Sequence, residues 1–132
     1  MNGLQQYQRI NTQTSITDAD PHKLIQLLYQ GALERINMAK AKIQARDYEA
    51  KGKLILKAMD IVGALRGFLD KEQGGELSER LDALYEYMER ALWEANARND
   101  INRLDEVAQL LRSVKEGWDG IREEVVAQQQ AG

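Results

Sequence analysis

Residues 48–72, YEAKGKLILKAMDIVGALRGFLDKE, decide the fold of this chain. Leu54, Ile55, Ala58, Met59, Ile61, Val62, Leu65, Phe68 and Leu69 recur at helical spacing. At about 100° per residue they cover roughly 140–180° of the helix circumference. A helix in a small antiparallel bundle hides an arc of a little over about 100°. So broad a face has two readings. Leu54, Ile61 and Phe68 on one flank and Ile55, Val62 and Leu69 on the other meet two neighbouring helices, or part of the face is left for a partner.

Working outward, the same periodicity recurs on both sides. Asp47 reads as the N-cap of this helix, with Glu49 in the first turn favoured by the helix dipole. Upstream, Asp20-Pro21 is a helix start: an N-cap acceptor, then proline where its missing N–H costs nothing. From there Ile25, Leu28, Ala32, Ile36, Ala39 and Ile43 step by three and four. Downstream, Gly74-Gly75 is the strongest turn signal. It precedes a third helix with Leu77, Leu81, Leu84, Met88, Leu92 and Ala95 inward. Asn96, Asn99 and Asp100 end that helix and cap a fourth carrying Leu104, Val107, Leu111, Val114, Trp118, Ile121 and Val125. Gly117 and Gly120 weaken the fourth helix, so its end is expected to bend or fray.

The expected helices are 20–45, 47–72, 76–98 and 100–126. Connections of about two to five residues force sequential neighbours to run antiparallel. The predicted fold is all-α: an up-down-up-down four-helix bundle over residues 20–127. An extended or short-helical N-terminal tail, 1–19, carries the apolar anchors Leu4, Tyr7, Ile10 and Ile16. Residues 128–132 are expected to be disordered.

Composition narrows the function. The chain has 132 residues, of which 43% are hydrophobic and 30% charged, the balance of a soluble globular domain. No apolar run reaches the roughly 18 residues that suggest a membrane span. The first residues lack the pattern of a secretory signal, so the expected compartment is the cytosol. With no cysteine and a single histidine, His22, thiol chemistry and a His-rich metal bundle are excluded. A net charge of −3 gives no footprint for nucleic acid.

No catalytic constellation emerges. His22 has no carboxylate and nucleophile converging on it in sequence and reads as an exposed polar residue. On the third helix Glu76, Glu79, Asp82, Glu86 and Glu89 are explained by intrahelical pairs, Glu76 with Arg80 and Glu86 with Arg90. Gly31 and Gly63-x-x-x-Gly67 read as packing clearance. Tyr85 lies beside the inward stripe, its ring placed to pack and its hydroxyl to reach solvent. Tyr87 and Trp93 point away from the stripe. Trp93 is either a lone exposed residue or a contact anchor.

Five stretches, in order, carry a resemblance. They are Tyr7; Asp20-Pro21-His22-Lys23-Leu24-Ile25-Gln26-Leu27-Leu28-Tyr29-Gln30-Gly31-Ala32; and Ala50-Lys51-Gly52 with Lys57-Ala58. The fourth runs from Leu69-Asp70-Lys71-Glu72-Gln73-Gly74-Gly75-Glu76 into Leu84-Tyr85-Glu86-Tyr87-Met88. The last comprises Ala95-Asn96-Ala97-Arg98-Asn99-Asp100, Glu106-Val107 and Trp118. Their joint order and spacing, over roughly residues 4–121, resemble the flagellar secretion chaperone FliS family. Gln30 departs from the family's common acidic residue and Trp93 from its usual aliphatic one.

The resemblance implies a cytosolic export chaperone, without cofactor, metal or catalytic residues. Such a protein binds the disordered C-terminal segment of flagellin, prevents premature polymerisation, and delivers flagellin to the cytoplasmic domain of the export-gate protein FlhA. Neither nucleic acid binding nor membrane insertion is implied. The flagellin groove is then expected at Leu54, Ile61, Leu65 and Phe68 of the second helix, Tyr85, Met88 and Leu92 of the third, and Leu104 and Leu111 of the fourth. Leu4, Tyr7 and Ile10 are expected to cover that groove or contact the export gate. The competing reading is a structural homodimer joined through the wide apolar face of the second helix.

Overall fold

The computed structural model describes the backbone of residues 20–131 and the side chains of residues 20–70 and 74–120. The tail positions Leu4, Tyr7, Ile10 and Ile16 therefore lie outside the described residues, as do the side chains of Ile121 and Val125. Four helices follow in order: α1, Pro21–Gln44; α2, Tyr48–Gly67; α3, Lys71–Arg98; and α4, Ile101–Ala131. No strand occurs among the described residues.

Each helix starts where the sequence places a carboxylate. The Asp20 side chain accepts from Lys23 N–H at 2.7 Å, with Pro21 opening α1. Asp47 accepts from Ala50 N–H at 3.2 Å, and Asp100 from Arg103 N–H at 3.2 Å. These caps satisfy N–H groups that the helix cannot pair internally. Two left-handed residues end helices, Arg46 at φ 60° and Asn99 at φ 53°. Beyond them Asp47 N–H donates to the Lys42 carbonyl at 2.9 Å, and Asp100 N–H to the Ala95 carbonyl at 3.0 Å. This closes the last turn of α1 and of α3.

The connection from α2 to α3 differs from expectation. α2 ends at Gly67 rather than 72, with Phe68 N–H turned back onto Ala64 and Leu65. A short helical turn follows, and the chain breaks at Gly75, φ 54° and ψ −130°, a conformation open essentially to glycine alone. The turn signal at Gly74-Gly75 thus marks a break inside α3. α4 runs as one helix through Gly117 and Gly120 to Ala131.

Close packing runs around a ring, α1 on α2, α2 on α3, α3 on α4 and α4 back on α1. The core lies inside the ring. It holds Leu28, Ile36 and Ala39 of α1, Ile55, Ile61 and Val62 of α2, Met88 and Leu92 of α3, and Leu104, Val107 and Leu111 of α4. Of the broad α2 arc, Ile55, Ala58, Ile61, Val62 and Leu65 are buried, and Leu54, Met59, Phe68 and Leu69 are half-buried against the core. Gly31 of α1 faces Ile61, whose Cδ1 would lie 3.5 Å from a Cβ at that position. Leu77, expected inward, is 66% exposed, because it stands in the first turn after the Gly75 break.

Candidate binding site

Antiparallel packing brings four helix segments to one end of the bundle: the start of α1, the end of α2, the start of α3 and the latter part of α4. Between them lies an apolar cavity of about 340 Å³. Ile25, Leu65, Phe68, Leu69, Leu77, Leu81, Val114, Gly117 and Trp118 line it, together with Asp70, Ser78 and the rings of Tyr29 and Tyr85.

Each wall has a local cause. On the α2–α3 side the Asp70 carbonyl accepts from Gly74 N–H at 2.7 Å and from Ser78 Oγ at 2.9 Å. Gly74 leaves room for this hydroxyl, since a Cβ there would fall 1.8 Å from Ser78 Oγ and the serine would have to move. On the α1–α4 side Trp118 Nε1–H donates to the His22 carbonyl at 3.0 Å. The indole stacks on the His22 ring, centroids 4.2 Å apart and planes 12° from parallel. Asp119 accepts from Gln26 Nε2 and Lys115 Nζ, both at 2.6 Å. The Lys115 hydrogen bond, followed by that from Gln26, holds its carboxyl below the usual range despite partial burial.

Tyr29 and Tyr85 hydrogen-bond phenol to phenol. Each is only 2% exposed. Burial raises both phenols above the ordinary tyrosine value, because the phenolate is penalised away from water. The hydroxyl of Tyr85, expected to reach solvent, instead lies inside against that of Tyr29. Outside the cavity, Arg66 joins α2 to α3 through Asp82 at 2.9 Å and Glu89 at 3.3 Å. Burial raises the Glu89 carboxyl, and Arg66 opposes that rise. The two carboxylates share one guanidinium, an ion-pair arrangement rather than an acid–base dyad. Groups of three or more potential metal ligands are absent among the described residues.

Leu65, Phe68 and Tyr85 are brought together in the cavity wall. Leu54 is half-buried on α2. Ile61, Met88, Leu92, Leu104 and Leu111 are core residues with at most 2% of their surface exposed. Ile25, Leu77, Leu81, Val114 and Trp118, which in sequence are inward positions of separate helices, join the same wall. The signal available was the antiparallel register, which aligns residues near 25, 68, 80 and 117. His22, expected to be exposed, is half-buried against Trp118, a partner 96 residues away. Arg80 pairs with Glu76 at 2.5 Å as expected. Arg90 instead lies 6.0 Å from the centre of the Tyr87 ring. Trp93 is 64% exposed.

The profile of the family described as Flagellar protein FliS matches residues 3–125. The chain belongs to the FliS family. It is 51% identical over 121 residues to the flagellar secretion chaperone FliSB of Pseudomonas aeruginosa, spanning 92% of this chain and 96% of that protein. It is 38% identical over 118 residues to the flagellar secretion chaperone FliS of Vibrio cholerae, 89% of this chain and 87% of that one. The Salmonella typhimurium FliS is 37% identical over 120 residues, 90% and 89% of the two chains. FliS proteins are chaperones, not enzymes. No described helix of this FliS-family chain is long and apolar enough to cross a membrane.

Proposed function

We propose that this chain is a cytosolic export chaperone that binds the C-terminal segment of flagellin, keeps it from polymerising early, and hands it to the cytoplasmic domain of FlhA. The observation that carries the reading is the apolar cavity at the bundle end, with Leu65, Phe68 and Tyr85 in its wall. A flagellin segment that packs against copies of itself in the filament exposes an apolar face while it waits. Covering that face on a prebuilt apolar surface removes the driving force for self-association. Coupled folding and binding of this kind buries about 1,000–3,000 Å², more than one cavity provides. The half-buried Leu54 of α2 extends the proposed surface beyond the cavity. Leu4, Tyr7 and Ile10 are proposed to contact FlhA.

Calorimetric titration with a peptide of the flagellin C-terminus tests this. One-to-one binding with a gain in helical circular dichroism is expected. Absence of binding at micromolar concentration removes the proposal. Docking to FlhA is tested separately with Tyr7→Ala, which is expected to retain the peptide and lose FlhA.

A further inference from the structure

Several polar groups on the cavity wall are already committed. Trp118 Nε1–H donates to the His22 carbonyl and Ser78 Oγ–H to the Asp70 carbonyl. The phenols are different. A phenol carries one hydrogen and also accepts, so two phenols joined by one bond hold two hydrogens and use one. Tyr29 and Tyr85 are joined in that way, and neither has another acceptor among the described residues. Both line the cavity. Because burial keeps both protonated, the second hydrogen stays on the pair. A buried O–H without an acceptor is costly, and the cavity is where an acceptor can come from.

We infer that this cavity is an anchor site, taking one large apolar side chain of a bound polypeptide together with a backbone carbonyl that accepts a hydrogen bond from the Tyr29–Tyr85 pair. The inference rests on the proposed binding of a flagellin segment and adds where that segment is gripped and by which polar contact. The cavity, about 340 Å³, is near the lower end of ligand pockets, about 300–1,000 Å³. That is room for a side chain, not for a helix. Every residue of a polypeptide brings a carbonyl, but within a helix only the last turn has carbonyls to spare. The anchor residue therefore lies in the last turn of a guest helix or in an extended stretch beside one. The apolar walls select its side chain, and the phenol pair sets the register of the backbone.

The test uses the full chain and a peptide of the flagellin C-terminal segment. In Tyr29→Phe or Tyr85→Phe one phenol remains to donate, so at least one of these variants binds within about twofold of the parent. Tyr29→Phe/Tyr85→Phe leaves the guest carbonyl unpaired and binds about tenfold more weakly. A double variant that binds like the parent overturns the anchor site, as does a full loss already present in both single variants. A second readout does not depend on those substitutions. Trp93→Phe leaves Trp118 as the only tryptophan of two, and peptide binding is expected to shift its emission to the blue and protect it from acrylamide. Bound peptide with unchanged Trp118 emission overturns the anchor site alone. Failure of the parent chain to bind the peptide removes the functional proposal, and the anchor site falls with it.

Discussion

Tyr29 on α1 and Tyr85 on α3, 56 residues apart in sequence, join hydroxyl to hydroxyl across the diagonal of the bundle. The closest helix packing runs around the ring, and this bond ties two rods that face each other across it. It also forms part of the wall of the cavity at the bundle end. Stability and the proposed binding chemistry therefore meet in one pair of side chains.

Removing one phenol should cost more than half of what removing both costs. Tyr85→Phe leaves the Tyr29 hydroxyl buried without its partner, a loss of about 1–3 kcal/mol. Tyr29→Phe/Tyr85→Phe removes both polar groups and is expected to be milder than the sum of the single variants. Urea unfolding of the four-member cycle measures the coupling.

The pair also predicts an alkaline limit. Both phenols have folded-state values raised by burial, while the unfolded chain titrates near pH 10. Their contribution is fully present below about pH 10 and is lost as the pH rises beyond it, because the unfolded state then gives up protons that the folded state retains. Urea midpoints measured from about pH 8 to pH 11 should fall more steeply for the parent than for the double phenylalanine variant.

Glycine replacements should split by position. Gly75→Ala forces a side chain into a backbone region it avoids and is expected to destabilise by about 1–3 kcal/mol. Gly74→Ala meets Ser78 Oγ and should also destabilise, by displacing the serine from the Asp70 carbonyl. Gly117 and Gly120 lie in α4 with nothing within 4 Å of an added Cβ. Alanine at either should stabilise by up to about 1 kcal/mol. Thermal unfolding of the four variants checks the signs.

Lys51 carries an end-of-helix role that its charge disguises. Only 6% exposed, it donates from Nζ to both the carbonyl and the side-chain oxygen of Asn96, each at 2.8 Å. Lys51→Met keeps the apolar stem but strips these acceptors near the end of α3, at an expected cost of about 1–3 kcal/mol. Lys53→Met, at a side chain 78% exposed beside Glu49, should change stability by less than about 0.5 kcal/mol. Chemical denaturation of the two variants separates the cases.

Much of the fold is legible because it is written locally. Asp20-Pro21 and Asp47 cap helices where they were expected to. The three-and-four stepping of Leu28, Ala32, Ile36, Ala39 and Ile43 became the buried face of α1. The site was less legible. Leu65, Phe68 and Tyr85 were in view, but Met88, Leu92, Leu104 and Leu111 share their periodicity and are core. An apolar residue at an inward position does not announce whether it sits at the closed middle of a bundle or at its open end.

Helix positions, the antiparallel order and the family follow from the chain alone, because caps, turns and periodicity act over a few residues. Which residues meet across the bundle was settled only in three dimensions. The Tyr29–Tyr85 bond, the His22–Trp118 stack and the cavity between them depend on how far each rod slides along its neighbours. That offset is set by the packing of the whole core at once, and no local stretch encodes it.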